Sequence, residues 1–236
     1  WGDINVIEEL VRLIGSREGL GDLLAQGSKR FGAYFGAEEE AVQVNRLEVA
    51  YHDPRGVSGM ALSYATSPRG ACHNQSDYFF VDWGHSHEEI GIEFFPRHAQ
   101  AEKAGNVAKH QDWRTVDNAV VMCIFANVEP QEKVKLINAA CGLHWNVGDL
   151  MKCGERAWNL KRAVNNRMGL TRANDKLPNA LLKPFPEGGS GEFVPDINAM
   201  LSAYYKARSW DLKTGKPSRE KLSELGLEDI AQDLWG

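Results

Sequence analysis

The chain has 236 residues, a formal net charge of −5, 43% apolar residues and 25% charged residues. This ordinary globular composition excludes extended disorder, a collagen-like repeat and a strongly basic nucleic-acid binder. The length leaves room for a sizeable core, and no apolar run is long enough for a transmembrane helix.

The first residue is Trp1, with no basic segment and apolar stretch behind it, so no signal peptide is expected. Such a start reads as a processed product or a piece of a longer protein. Asp3 caps a predicted helix in which Val6, Ile7, Leu10, Val11 and Ile14 repeat at helical steps, with Gly15 as its stop. A second helix is predicted over 20–35, with Leu20, Leu23, Leu24 and Phe31 inward and Gly36 ending it. Residues 41–49 alternate and read as a short strand or extended segment.

A loop-rich centre follows. YHDPRG (51–56) carries turn signals, and a small-residue helix beginning near Ser58 must end at Pro68. Residues 74–96 gather Tyr78, Phe79, Phe80, Trp83, Phe94 and Phe95 in a mostly irregular stretch. Beyond it, helices are predicted at 99–111, 113–126, 130–141, 147–168 and 196–208, with a short one near 218–225. Gly169 stops the long one, and proline-rich 177–195 reads as a surface excursion. The fold class is mainly α, an irregular multi-helical array.

Four cysteines are too few for a disulfide scaffold and form no C-x-x-C pair, so free thiols and a cytoplasmic location are expected. Cys72–His73 closes a glycine-flanked loop that can present an imidazole to a cavity, or simply pack. Cys123 lies in DNAVVMCIF (117–125), where it reads as a core thiol or as one ligand of a metal cluster completed elsewhere. Cys141 and Cys153 read as core residues. His85 and His87, spaced to face one way on an extended segment, have metal-like composition without a full ligand set. Asp53, Arg55, Arg69 and Arg114 surround the loop-rich centre, where arginines can take phosphate or pair internally. No phosphate-binding or dinucleotide fingerprint and no hydrolase elbow is present.

DPRGVSGMALSYATSPRGACH (53–73), DNAVVMCIF (117–125), GERAWNLKRAVNNRMGLTRANDKLP (154–178), REGLGDLLAQGSKR (17–30) and AMLSAYYKARSWD (199–211) together resemble the C-terminal part of the tungsten-containing aldehyde:ferredoxin oxidoreductase family. The resemblance implies a helical fold in which residues 1–50 end the second domain and 51–236 form the third. The N-terminal pterin-binding domain and its C-x2-C-x3-C segment are absent. It implies tungsten, or molybdenum, on two pyranopterins beside a [4Fe–4S] cluster. His73 then matches the active-site histidine and Cys123 the fourth cluster cysteine. The family's pterin motif is Asp-x-x-Gly-Leu-Cys. Counting back from Cys123 puts Asn118 at its first position, with Asp117 one residue off, and Val121 and Met122 in place of Gly-Leu. Either Asp117 or Asn118 can contact the pterin, with Arg69 near.

The implied activity is oxidation of aldehydes to carboxylic acids, with electrons passed to ferredoxin or another electron-transfer subunit. Implied partners are the N-terminal remainder of the same chain and, as the family allows, a second copy in a homodimer. The aromatic 74–96 stretch is similar instead to the tungsten subunit of class II benzoyl-CoA reductases, whose substrate is an aromatic acyl-CoA. A non-catalytic helical interaction module is the remaining alternative. Expressed alone, the 236 residues are expected to hold neither tungsten nor a cluster, since a single thiolate retains neither.

Overall fold

The computed structural model describes residues 2–185 and 187–236, so the reading of Trp1 lies outside the described residues, as does Pro186 in the proline-rich stretch. Asp3 accepts from the Asn5 amide (3.0 Å) and opens α1 (Ile4–Ser16). The helix runs through Gly15 and ends on Arg17 in the left-handed conformation, two residues later than expected. None of its residues is buried, and Ile4, Val6, Ile7 and Val11 face outward.

The predicted 20–35 helix is two pieces, α2 (Leu20–Leu24) and α3 (Ser28–Tyr34). Gly27, at φ +88°, breaks the chain between them, and Glu48 accepts from the Ser28 amide at 2.8 Å. The 41–49 strand is a small hairpin, β1 (Gln43–Val44) antiparallel to β2 (Leu47–Glu48), in register Gln43 to Glu48 and Val44 to Leu47. Asn45 and Arg46 both take positive φ, the geometry of a two-residue turn matched to strand twist.

α4 (Gly59–Thr66) is buried along its whole length. α5 (Phe79–Asp82) is a single turn within the aromatic stretch. α6 (Ala104–Ala119) lies at the centre, packed on α8 (Val147–Arg167), α9 (Ile197–Arg208) and α4. It joins what the sequence divides into 99–111 and 113–126, and it stops seven residues early. Gln111 and Asp112 look like a break in an apolar pattern, but both are buried and bonded. Gln111 donates to Thr66 (3.0 Å), and Asp112 pairs with Arg208 (2.6 Å). Gly154 lets α8 cross here, since a β-carbon on it would sit 2.2 Å from the Asp112 carbonyl oxygen.

α7 (Pro130–Cys141), α8, α9 and α10 (Arg219–Glu224) form close to where they are predicted. Asn146 and Asp149 close a reciprocal cap on α8. α11 (Glu228–Trp235) was not predicted. The 177–195 stretch is not wholly a surface excursion: Leu177 and Leu181 are buried, and Arg55 holds the Ala180 and Lys183 carbonyls, both at 3.1 Å. The mainly α, irregular array is as expected.

Candidate functional site

The segments singled out in the sequence divide into two groups. The 154–178 and 199–211 blocks build the core. Trp158 donates to the Tyr204 hydroxyl (3.0 Å), Trp210 to Asn159 (2.7 Å), and Arg162 pairs with Asp175 (2.9 Å), all buried. The 53–73 and 117–125 blocks instead lead to a surface.

His73 begins a short 3₁₀ turn (His73–Gln75) and is half-buried. Its ring lies 5.4 Å, centroid to centroid, from that of His52. His52 stacks on Phe79 at 3.8 Å with the edge of Trp83 beyond, and the buried Tyr64 hydroxyl donates to its carbonyl (3.0 Å). Burial holds the His52 pKa below the ordinary imidazole value, and His73 beside it acts in the same direction. Sequence reasoning passed over His52. Its only signal was its position directly before Asp53 in the turn sequence.

Cys72 is buried and receives the Nε and Nη2 hydrogens of Arg69 at 3.1 and 2.9 Å. Arg69 itself is exposed. Gly70 permits this loop: it sits at φ +96°, and a β-carbon there would stand 2.5 Å from the Val44 carbonyl oxygen. Of the other candidate phosphate binders, Arg55 is folded onto Asp53 (2.6 Å) and Arg114 is consumed internally.

That internal network lies beneath the 120–127 turn. Arg114 donates from Nε and Nη2 to the two oxygens of Asp77 (2.6 and 3.0 Å) and from Nη1 to Asp117 (3.1 Å). Lys133 donates to the other Asp117 oxygen at 2.5 Å and lies over the Trp113 ring. Burial outweighs this partner and lowers the Lys133 pKa to about 8. His110 is pushed down to about 3 by burial and is neutral. A proton on its Nε2 facing Asp77 (3.5 Å), with Nδ1 accepting from Ser76 (2.9 Å), satisfies both nitrogens.

Asp117 therefore points inward, with both oxygens occupied. Asn118 is exposed, and its amide donates to the Arg114 carbonyl (2.9 Å) and toward that of Asn74 (3.5 Å), next to His73. Cys123 is neither helical nor a core thiol: it is exposed on the turn after α6. Cys141 is also exposed rather than core, and Cys153 is half-buried. The apolar run that suggested a continued helix is bare, with Val121 91% and Phe125 77% exposed. His85 and His87 do face one cleft of about 150 Å³, with Phe80, His110, Ile124 and Phe125, but no group of three or more metal-binding side chains occurs among the described residues.

Val121 takes φ +56°, a left-handed conformation that a β-branched residue adopts at a cost of about 1–2 kcal/mol. It occupies the position that glycine holds in the pterin motif when Asn118 is aligned with the motif's aspartate. Val121→Gly is expected to stabilise the fold by about 1 kcal/mol, part of the relief being offset by glycine's freedom in the unfolded chain. A denaturation midpoint that falls would refute the strain.

A mainly helical body thus presents the Cys123 thiol, the His73–His52 imidazole pair, the Asn118 amide in the last turn of α6 and the exposed Arg69 guanidinium. The model of the family described as "Aldehyde ferredoxin oxidoreductase, domains 2 & 3" matches residues 1–227, and the chain belongs to that family. It is 35% identical over 236 residues to the tungsten-containing aldehyde ferredoxin oxidoreductase of Thermococcus kodakarensis, covering 98% of this chain and 38% of that protein. The Pyrococcus horikoshii enzyme of the same name is 36% identical with the same coverage. The aliphatic sulfonate oxidoreductase WOR-like subunit of Pyrococcus furiosus is 25% identical over 255 residues, spanning 99% of this chain and 36% of that one. The solved active-site complex BamBC of benzoyl coenzyme A reductase with 1,5-dienoyl-CoA shares the fold, at TM-score 0.68 and 22% identity over 95% of this chain and 39% of that one. The chain therefore spans 38% of the length of the curated aldehyde ferredoxin oxidoreductases it matches.

Proposed function

We propose that these residues form the C-terminal, cofactor-facing part of a tungsten-bispyranopterin, [4Fe–4S] oxidoreductase that oxidises aldehydes to carboxylic acids and passes the electrons to ferredoxin. The observation that carries this reading is the exposed Cys123 on a bare apolar turn, five residues after an exposed Asn118. When bound, the metal–pterin group supplies the two-electron chemistry, and the protein supplies binding, orientation and proton exchange.

Cys123 contributes one thiolate, and the other cluster ligands come from the N-terminal remainder. Asn118, not Asp117, faces the pterin: no hydrogen bond from the described residues reaches its Oδ1, whereas both Asp117 oxygens are taken. Arg69, exposed and bonded through Nε and Nη2 to the Cys72 sulfur, has its Nη1 edge left to meet a pterin phosphate. His73 exchanges the proton as water oxygen adds to the aldehyde carbon. The remainder also covers the apolar face of α1. In this reading residues 1–50 end the second domain and 51–236 form the third, with molybdenum as the alternative metal.

Cys123→Ala in the full-length enzyme is expected to remove the cluster, read as iron content and as the EPR signal of the reduced protein. Undiminished iron and an unchanged signal would sink the ligand assignment. A second reading, reduction of an aromatic acyl-CoA, is favoured by one feature. The rings of Phe79, Phe80, Trp83 and His52 form a single contact cluster beside His73, suited to enclosing a planar substrate. Parallel assays of the full-length enzyme with aldehydes and with aromatic acyl-CoA esters separate the two.

A further inference from the structure

We propose that His52 is the proton partner of His73, carrying protons between the reacting centre and solvent. The inference rests on the reading of His73 given above.

His52 is the imidazole beside His73, with 5.4 Å between ring centroids, a separation that one bridging water can span. The ring is held from two sides. Its face stacks on Phe79 at 3.8 Å and 12°, and its backbone carbonyl accepts from the buried Tyr64 hydroxyl at 3.0 Å. It is half-buried, so one edge still reaches solvent, next to the fully exposed Tyr51 and the exposed Trp83. No hydrogen bond from the described residues ties either ring nitrogen, although most buried polar atoms in this fold are bonded. The neighbouring Asp53 is turned onto Arg55 (2.6 Å) and does not compete. His73 and Asp77 are the titratable groups that act on His52, and Asp77 is held by Arg114.

The reaction leaves protons to dispose of. Aldehyde and water give carboxylate, two electrons and three protons. The two electrons leave one at a time and reduce two equivalents of a one-electron iron–sulfur acceptor of the ferredoxin class. One proton from the water oxygen passes to His73 as the new carbon–oxygen bond forms, then to His52 and to bulk water; the other two, released as the second O–H bond and the aldehyde C–H bond break, leave through the same pair in turn. Both imidazoles end the cycle as they began it. In this sequence of transfers His52 acts through His73 and meets no reacting atom, so it is a positioning and relay residue.

The test uses the full-length enzyme with metal and iron measured in every variant. His52→Ala is expected to lower kcat about tenfold to a hundredfold, in the range of a lost proton-transfer group, with KM near the wild-type value. Added imidazole should restore part of that turnover. His52→Phe keeps the stack on Phe79 and fills the same space. It should show the same loss without rescue, at an unchanged thermal midpoint. Wild-type turnover in His52→Phe overturns the relay, and so does a His52→Ala loss that imidazole does not restore. Failure of the underlying reading looks different: His73→Asn would then retain turnover, whereas an inert His52 beside an essential His73 removes only the relay.

Discussion

Turnover of aldehyde by the full-length enzyme carrying His73→Asn is expected to fall by a factor of about 10²–10⁴, with tungsten and iron content unchanged. That range equals roughly 3–5 kcal/mol of barrier. The half-buried ring of His73 takes part in no ion pair among the described residues and faces the second imidazole of His52. Asparagine keeps a polar side chain of similar reach, so packing and hydration of the turn change little. What it cannot do is accept and return a proton near neutral pH. The loss should therefore appear in kcat, with KM nearly constant, because the substitution removes an interaction realised during proton transfer rather than on binding. A decrease of less than tenfold would dismiss His73 as the proton-exchanging group. A parallel loss of tungsten would reassign it to holding the cofactor.

What could be read from sequence follows from where the periodicity has a single cause. α7, α8 and α9 were legible because their caps are local and their apolar faces pack inside the chain, as with Asn146, Asp149 and Asp196. The end of α6 was not legible. Residues 120–125 are as apolar as a helix face, yet they lie exposed on a turn fixed by the left-handed Val121 and by the Met122 amide donating back to Asp117 (2.9 Å). Hydrophobicity reports that a segment becomes covered, not by what. The same ambiguity placed Leu20 inward, although it is exposed, and left the apolar side of α1 with none of its residues buried. The sequence reading divided α6 between 111 and 113, where Gln111 and Asp112 are in fact buried and bonded by Thr66 and Arg208, distant in sequence. Such long-range pairing is invisible in local pattern. For the site, the family resemblance singled out His73, Cys123, Arg69 and either Asp117 or Asn118. Only geometry shows Asp117 buried and paired while Asn118 is exposed, because the partners of Asp117 are Arg114 three residues away and Lys133 sixteen residues on. His52 emerged only through its ring contacts.

Arg114→Met is expected to cost about 3–5 kcal/mol of stability, the range for removing one member of a buried ion network. Methionine preserves much of the volume, so the loss is electrostatic rather than a cavity effect. Asp77 has no solvent exposure, and both of its oxygens are held by Arg114. With the guanidinium gone, its nearest cation-forming neighbour is His110 at 3.5 Å, a ring that burial keeps neutral. Asp117 would fare better, since Lys133 still holds its other oxygen. The asymmetry makes Lys133→Met a graded control: it leaves Asp77 untouched and Asp117 still bonded to Arg114, so its cost should be smaller. The total stability of a domain is about 5–15 kcal/mol, so the arginine variant should lose a large share of it and unfold at a much lower denaturant concentration. Hydrogen exchange should show the opening centred on residues 113–127, where α6 ends and the Cys123 turn begins. A loss below about 1 kcal/mol in denaturant unfolding would mean that Asp77 finds water or another partner once Arg114 is gone. Loss confined to α6 and its following turn would instead tie the fold's buried charges to the segment that carries the proposed cluster ligand. The interior arginine would then act on the redox site without touching it.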